Sequence, residues 1–246
     1  MTISSNSDLA ALQRVGALVA QALREMEEQA SPGMTTRELD AIGAAFLRQH
    51  GARSAPQLSY GFPGFTCISV NDQIVHGVPR ARVLAPGDVV KIDVTAELDG
   101  FVADAAITVT LPPVSAEARR LRKCAQRAFT KAMEVARAGS PIREIGRAVQ
   151  TEVERQNFSV VREMCGHGVG RTIHEQPSVP NFYSMLTRGQ LTEGMVLAVE
   201  PIISARACRV VEEADGWTLR THNGSLAAHY EHTIVVREGA PLLVTA

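Results

Sequence analysis

Four acidic residues of this chain stand in apolar, strand-like company. Asp93 lies within Val89-Val90-Lys91-Ile92-Asp93-Val94, and Asp104 within Phe101-Val102-Ala103-Asp104-Ala105-Ala106-Ile107. Glu200 closes Met195-Val196-Leu197-Ala198-Val199-Glu200, and Glu231 opens Glu231-His232-Thr233-Ile234-Val235-Val236. A carboxylate on a buried strand carries a desolvation penalty of several kcal/mol unless something compensates it. A cation is the simplest compensation for several acids at once. His167, in Cys165-Gly166-His167-Gly168-Val169-Gly170, adds an imidazole between glycines that let backbone or substrate come close. Asp93, Asp104, His167, Glu200 and Glu231 thus form an oxygen-rich donor set with one nitrogen. Such a set suits Mn, Fe(II), Co or Zn and is ill-suited to copper or thiolate chemistry. Two ions about 3.5–4 Å apart can share a water and lower its pKa toward neutrality.

The spacing of the first two acids sharpens this. Asp99-Gly100 is a strong two-residue turn between two Val- and Ile-rich segments. With those residues at the turn, position 93 faces 106 and position 104 faces 95. Asp93 and Asp104 then share a sheet face as diagonal neighbours, roughly 7–8 Å apart at the backbone, and both can reach one cation. Two further histidines are candidates: His174, in Thr172-Ile173-His174-Glu175-Gln176-Pro177, and His76, in Val75-His76-Gly77-Val78-Pro79, which by itself reads as a loop histidine. The glycines at 166, 168 and 170 give G-x-G-x-G rather than a dinucleotide fingerprint.

The elements that must position these residues follow from periodicity. Leu9, Leu12, Val15, Val19, Leu23 and Met26 predict a helix from Asp8 to about Gln29, stopped by Pro32-Gly33. Thr35 with Glu38 predicts a capping box opening a second helix with Leu39, Ile42 and Phe46 inward. Residues 52–66, with Pro56, Gly61, Pro63 and Gly64, read as loop. Short strands are expected at 67–70 and 74–75, then the hairpin Asp88–Glu97 and Phe101–Leu111. After Pro112-Pro113, Leu121, Cys124, Ala128, Ala132 and Val135 share a helical face, and Ile142, Ile145, Val149 and Val153 another. Met195–Val199, a hairpin over 208–221 turning at Asp215-Gly216, and Glu231–Val236 complete the β content. The order helix, helix, strands occurs twice, and no linker divides it, which predicts one α/β domain of two similar halves.

Composition argues against several classes. With 25 Lys+Arg against 26 Asp+Glu in 246 residues, the chain lacks the basic excess of a protein that binds nucleic acid by phosphate neutralisation. No apolar run reaches the ~20 residues of a membrane helix, and no secretory leader pattern opens the chain. The four cysteines form no C-x-x-C pair, so a zinc ribbon is not expected and a reduced, cytoplasmic compartment is.

The stretches Asn71-Asp72-Gln73-Ile74-Val75-His76-Gly77, Lys91-Ile92-Asp93-Val94-Thr95, Cys165 to Gly170, His174-Glu175-Gln176-Pro177 and Tyr230 to Val236 resemble type I methionine aminopeptidases. The similarity runs from about residue 8 to the C-terminus, with the ligands in order and at family spacing. It implies the α/β (α+β) pita-bread fold of creatinases and aminopeptidases. There, two pseudo-symmetric halves, about 8–112 and 113–246, surround a central antiparallel sheet; residues 1–7, being polar, are expected to be frayed. The roughly 26 residues between His174 and Glu200 leave no room for the helical insert of the type II branch. The implied activity is removal of the initiator methionine from N-terminal peptides of nascent proteins, with the ribosome as a candidate place of encounter. The implied catalyst is a hydroxide bridging two divalent metals (Co, Mn, Fe(II) or Zn) in a cytoplasmic monomer.

By matching motif, the resemblance makes Asp104 and Glu231 bridge both metals, Asp93 complete one site, and His167 with Glu200 complete the other. It makes Glu200 the acceptor of the water's proton, His174 a donor to the oxyanion or scissile amide, and His76 a contact of substrate or leaving amide. Phe62, Cys67, Ile173 and Trp217 would line the methionine pocket, with His76 near its mouth. Three departures stand out. Ala105-Ala106 replaces a usual Thr-Ser after Asp104, Ser59 and Phe62 stand where tyrosines are common, and Ile173 replaces an aromatic. The alternatives are a proline-specific (Xaa-Pro) aminopeptidase of the same fold and a pita-bread binding protein without catalysis.

Overall fold

In the computed structural model, which describes residues 1–246, the two helical pairs form where the apolar spacing places them. Helix α1 (Asn6–Gln29) begins at Ser5, whose hydroxyl accepts the Asp8 N–H, and buries Leu12, Val15, Val19, Leu23 and Met26. Helix α2 (Thr36–Gln49) opens on the capping box of Thr35 and Glu38. Residues 52–66, expected to be loop, instead contain a short helix, α3 (Ala55–Tyr60). Ser54 caps it, Pro56 sits in its first turn where a missing N–H costs nothing, and Gly61 closes it in the left-handed conformation. The residues that suggested a loop are those that delimit a helix too short to show periodicity. Helices α4 (Ala116–Val135) and α5 (Arg143–Arg155) form the second pair.

Nine strands build one antiparallel sheet. Its path runs Arg53–Ser54, Val89–Leu98, Phe101–Thr110, Glu231–Val235, Val196–Val199, Cys165–Gly168 and Glu175–Pro180, with Cys67–Val70 added on Val89–Leu98 and Leu242–Leu243 on Glu231–Val235. The hairpin register is the one the turn dictates: Asp93 pairs with Ala106 and Thr95 with Asp104, and both Asp99 and Gly100 have positive φ. The strand Glu231–Val235, from the second half, pairs with Phe101–Thr110, from the first, through Glu231 with Ala106 and His232 with Ala105. The sheet is therefore continuous across the halves.

Two cores flank it. Helices α1 and α2 pack with Ile92, Val94, Ala103 and Ala105 of the hairpin. Helices α4 and α5 pack with Leu197, Val199, Ile234 and Val236. Residues 1–7, expected to be frayed, are seated: the Met1 ammonium meets the Glu175 carboxylate, Thr2 bridges Met195, and the Ile3 N–H donates to the Gly194 carbonyl. No helix is long and apolar enough to cross a membrane.

Candidate metal centre and its cavity

Strand pairing sets the acids in a row. Asp93 and Glu231 each pair with Ala106, from opposite sides, so the three residues share one sheet face. Ala106 presents only a methyl group between the two carboxylates. Asp104 lies two residues from Ala106 and so on the same face. His167 pairs with Ala198, and Ala198 with Thr233, which carries the row into the last strands and sets Glu200 on the same side. A register shift after His167 displaces the strand, and the flanking glycines serve tight backbone contact: a Cβ at Gly168 would meet the Gln176 carbonyl oxygen at 2.2 Å.

This face looks into a cavity of about 590 Å³. Every residue singled out from the sequence lines it: His76, Asp93, Asp104, His167, His174, Glu200 and Glu231, together with Phe62, Cys67, Ile173 and Trp217. Asp104, Glu200 and Glu231 are buried, and the His167 Nε2 lies 3.4 Å from Glu200 Oε1 and 3.9 Å from Asp104 Oδ2. Ligand atoms of Asp104, His167 and Glu231 gather within 4.8 Å of one another, and so do those of Glu200, His229 and Glu231. Asp104 is held from behind: the Thr95 hydroxyl donates to its Oδ1 at 2.8 Å, and its backbone N–H donates to the Thr233 hydroxyl. Thr95 therefore supplies an outer hydrogen bond that the Ala105-Ala106 departure put in question.

The electrostatics are those of buried, mutually repelling acids. Burial, followed by the neighbouring Asp104 charge, pushes the Asp93 carboxyl up from 3.8 to about 8. Burial and then the charge of Glu231 raise Asp104 and Glu200 well above the usual range, and burial followed by Asp93 does the same to Glu231. No lysine or arginine lines the cavity, and the buried Glu231 Oε1 has no hydrogen-bond partner. The donor set fits divalent cations in the way the desolvation argument required. Burial holds His167 at about 4, so its ring is neutral. Its Nδ1 lies 2.9 Å from the Gly168 carbonyl oxygen; donation there leaves the Nε2 lone pair facing the carboxylates.

The remaining residues frame an apolar end and a rim. Phe62 meets Trp217 edge to face, with centroids 5.3 Å apart, and Cys67 and Ile173 are buried beside them. His174 stands at the rim, 4.4 Å from His167 between ring centroids, and partial burial lowers its pKa. His76 has a left-handed backbone, φ 56°, uncommon for a residue other than glycine, and burial lowers it to about 4. Two residues of the site were not foreseen. Tyr60 brings its hydroxyl to 2.6 Å from His174 Nδ1; Ser59, beside it in sequence, is exposed and outside the cavity lining. His229 is buried against Glu200 and Glu231, and its only sequence hint was its place two residues before Glu231.

The model of metallopeptidase family M24 matches residues 10–238. The methionine aminopeptidase 2 of Bacillus subtilis (strain 168) is 42% identical over 247 residues, covering 100% of this chain and 99% of the relative. A crystal structure of methionine aminopeptidase from Thermotoga maritima superposes with a TM-score of 0.96 at 34% identity, covering 100% of this chain and 99% of that one. Prolidase from Pyrococcus furiosus, at 20% identity, shares the fold with a TM-score of 0.81, and this chain covers 65% of it. The fold is the pita-bread arrangement common to these proteins.

Proposed function

The chain belongs to metallopeptidase family M24, among the methionine aminopeptidases, and from that premise we propose that its cavity removes the initiator methionine from N-terminal peptides of nascent proteins. One observation carries the reading. Four carboxylates from strands distant in sequence converge with His167 in a cavity lined by no lysine or arginine to neutralise them.

In this reading Asp104 and Glu231 would serve both of two divalent ions, Asp93 would complete one site, and His167 with Glu200 the other. Such ions, when bound, acidify a shared water toward neutrality and polarise the scissile carbonyl. Glu200 accepts the proton of the attacking water. His174 donates from Nε2 to the oxygen on which negative charge develops, or to the scissile amide. The Tyr60 hydroxyl, 2.6 Å from Nδ1, is placed to support that tautomer: a phenol donating to Nδ1 would leave the imidazole proton on Nε2. His76 contacts the substrate at the mouth of the pocket. Phe62, Cys67, Ile173 and Trp217 take the methionine side chain, whose flexible thioether suits aromatic edges and sulfur. The chain acts as one catalytic domain, as a cytoplasmic monomer, with Co, Mn, Fe(II) or Zn as its metal.

Peptide cleavage tests this. Protein loaded with Mn²⁺ is offered Met-Ala-Ser, the same peptide with other first residues, and Xaa-Pro peptides, with and without a chelator. Release of methionine alone, abolished by EDTA and restored by Mn²⁺, is the expected result. Preference for Xaa-Pro peptides would make the enzyme proline-specific. No cleavage and no metal uptake would make the chain a binding protein.

A further inference from the structure

We infer that His229 is a positioning residue of the metal centre, its Nε2–H directed at both Glu231 and Glu200 so that one oxygen of each acid is fixed and the other is turned toward the cations. This rests on the two-metal reading above. His229 is 2% exposed, and its Nε2 lies 3.2 Å from Glu231 Oε2 and 3.7 Å from Glu200 Oε2. Neither ring nitrogen forms a hydrogen bond, so the two Nε2 approaches set the ring beside the acids without full hydrogen-bond alignment. The backbone aims the ring. His229 ends the strand Ala227–His229, pairs with Ile202, donates its N–H to the Thr108 hydroxyl at 2.9 Å, and accepts that hydroxyl's proton at its carbonyl at 2.8 Å. Thr108 belongs to the strand that carries Asp104, so the hairpin and His229 are locked together.

Two roles are open to such an imidazole, and the second nitrogen decides between them. A ligating histidine gives its Nε2 lone pair to the cation and must place its proton on Nδ1, where it needs an acceptor. His167 has one in the Gly168 carbonyl; His229 has none. With the proton on Nε2 instead, the donor faces two carboxylate oxygens. The atom left unpaired is then an acceptor lone pair, a smaller loss than an orphaned buried N–H. The oxygens divide accordingly. Glu200 turns Oε2 to His229 and Oε1 to the His167 side, and Glu231 leaves Oε1 without a protein partner. The second lone pair on Glu231 Oε2 still permits contact with a cation.

The test compares His229→Leu, which removes the donor, with His229→Gln, which restores an N–H of similar reach. Mn²⁺ titrations by calorimetry on stripped protein, visible spectra of Co²⁺-loaded protein and ¹⁵N-histidine spectra of the Zn²⁺-loaded wild type are recorded. His229→Leu is expected to weaken Mn²⁺ binding by about 10–100-fold. His229→Gln is expected to stay within about 3-fold of wild type with an unchanged Co²⁺ spectrum, and the ¹⁵N data to show a proton on Nε2. Wild-type affinity in His229→Leu would overturn the inference. So would a metal-bound Nε2 in the ¹⁵N data, or the same loss of Co²⁺ absorption in both variants, since these mark a ligand. If the leucine variant does not fold, the wild-type ¹⁵N assignment decides. Failure of wild type to bind Mn²⁺ at all would sink the two-metal reading itself, a result distinct from the other three.

Discussion

Removing the metal should make the protein's stability depend on pH in a way the loaded protein's does not. The Asp93 carboxyl is raised by burial and by Asp104 from 3.8 to about 8, so without cations it stays protonated in the folded chain and ionises on unfolding. A raised acid means that the folded state binds more protons, and stability falls as pH rises toward the folded value. Cations reverse this by holding the carboxylate ionised. The gap between loaded and stripped protein should therefore widen with pH. Between pH 6.5 and 8, an acid raised this far widens it by about 1–2 kcal/mol, somewhat less than the full proton's worth because it begins to titrate near 8. Asp104, Glu200 and Glu231 are raised as well and act in the same direction. At about 2–4 °C per kcal/mol for a chain of this size, the gap in Tm should grow by at least about 3–6 °C. Other shifted groups cancel in the difference. Lys91, lowered by burial, and the Cys124 thiol, raised by it, lie outside the donor set and titrate alike in both forms. The buried histidines, held at about 4, are neutral in both folded forms across this window, so their titration in the unfolded chain cancels as well. The assay is thermal unfolding at pH 6.5, 7.25 and 8.0, with saturating Mn²⁺ or with EDTA. A gap that stays constant, or narrows with pH, would refute the picture of buried, mutually repelling acids relieved by cations.

Three further outcomes follow from the cavity. His174→Ala should retain full metal content by elemental analysis while kcat falls by about 10²–10⁴-fold, because the residue donates to the reacting group and is not among the ligands. Loss of metal with retained fold would assign it differently. Glu231→Ala should empty at least one of two sites, read as metal per chain after dialysis; two full equivalents would remove it as a shared ligand. Trp217→Ala should remove one wall of the apolar end and lower kcat/KM for Met-Ala-Ser by about 10–100-fold, mainly through KM. An unchanged preference across first residues would place the side-chain pocket elsewhere.

Several local features were legible because neighbours in sequence determine them. The Asp99-Gly100 turn fixes the register of Val89–Leu98 against Phe101–Thr110 to the residue, and with it the shared face of Asp93 and Asp104. The Thr35 and Glu38 box starts α2 as expected. Helix α3 was hidden because six residues are too few for periodicity, and Pro56 and Gly61 carry the same signature at the ends of a short helix as in a loop. The seating of residues 1–7 depends on Met195, Gly194 and Glu175, far along the chain, and no local pattern announces it.

By itself the sequence determined the donor types, the hairpin geometry and the need for a counter-charge, since desolvation of an acid among valines and isoleucines follows from composition alone. Only the tertiary structure decided that Glu231 crosses to the first hairpin through Ala106, that Tyr60 rather than Ser59 reaches His174, and that His229 is buried against two acids. Such contacts reach far along the chain, 114 residues between Tyr60 and His174, through strand pairing and shared burial. Their geometry is set by how whole strands pack, which no window of neighbouring residues contains.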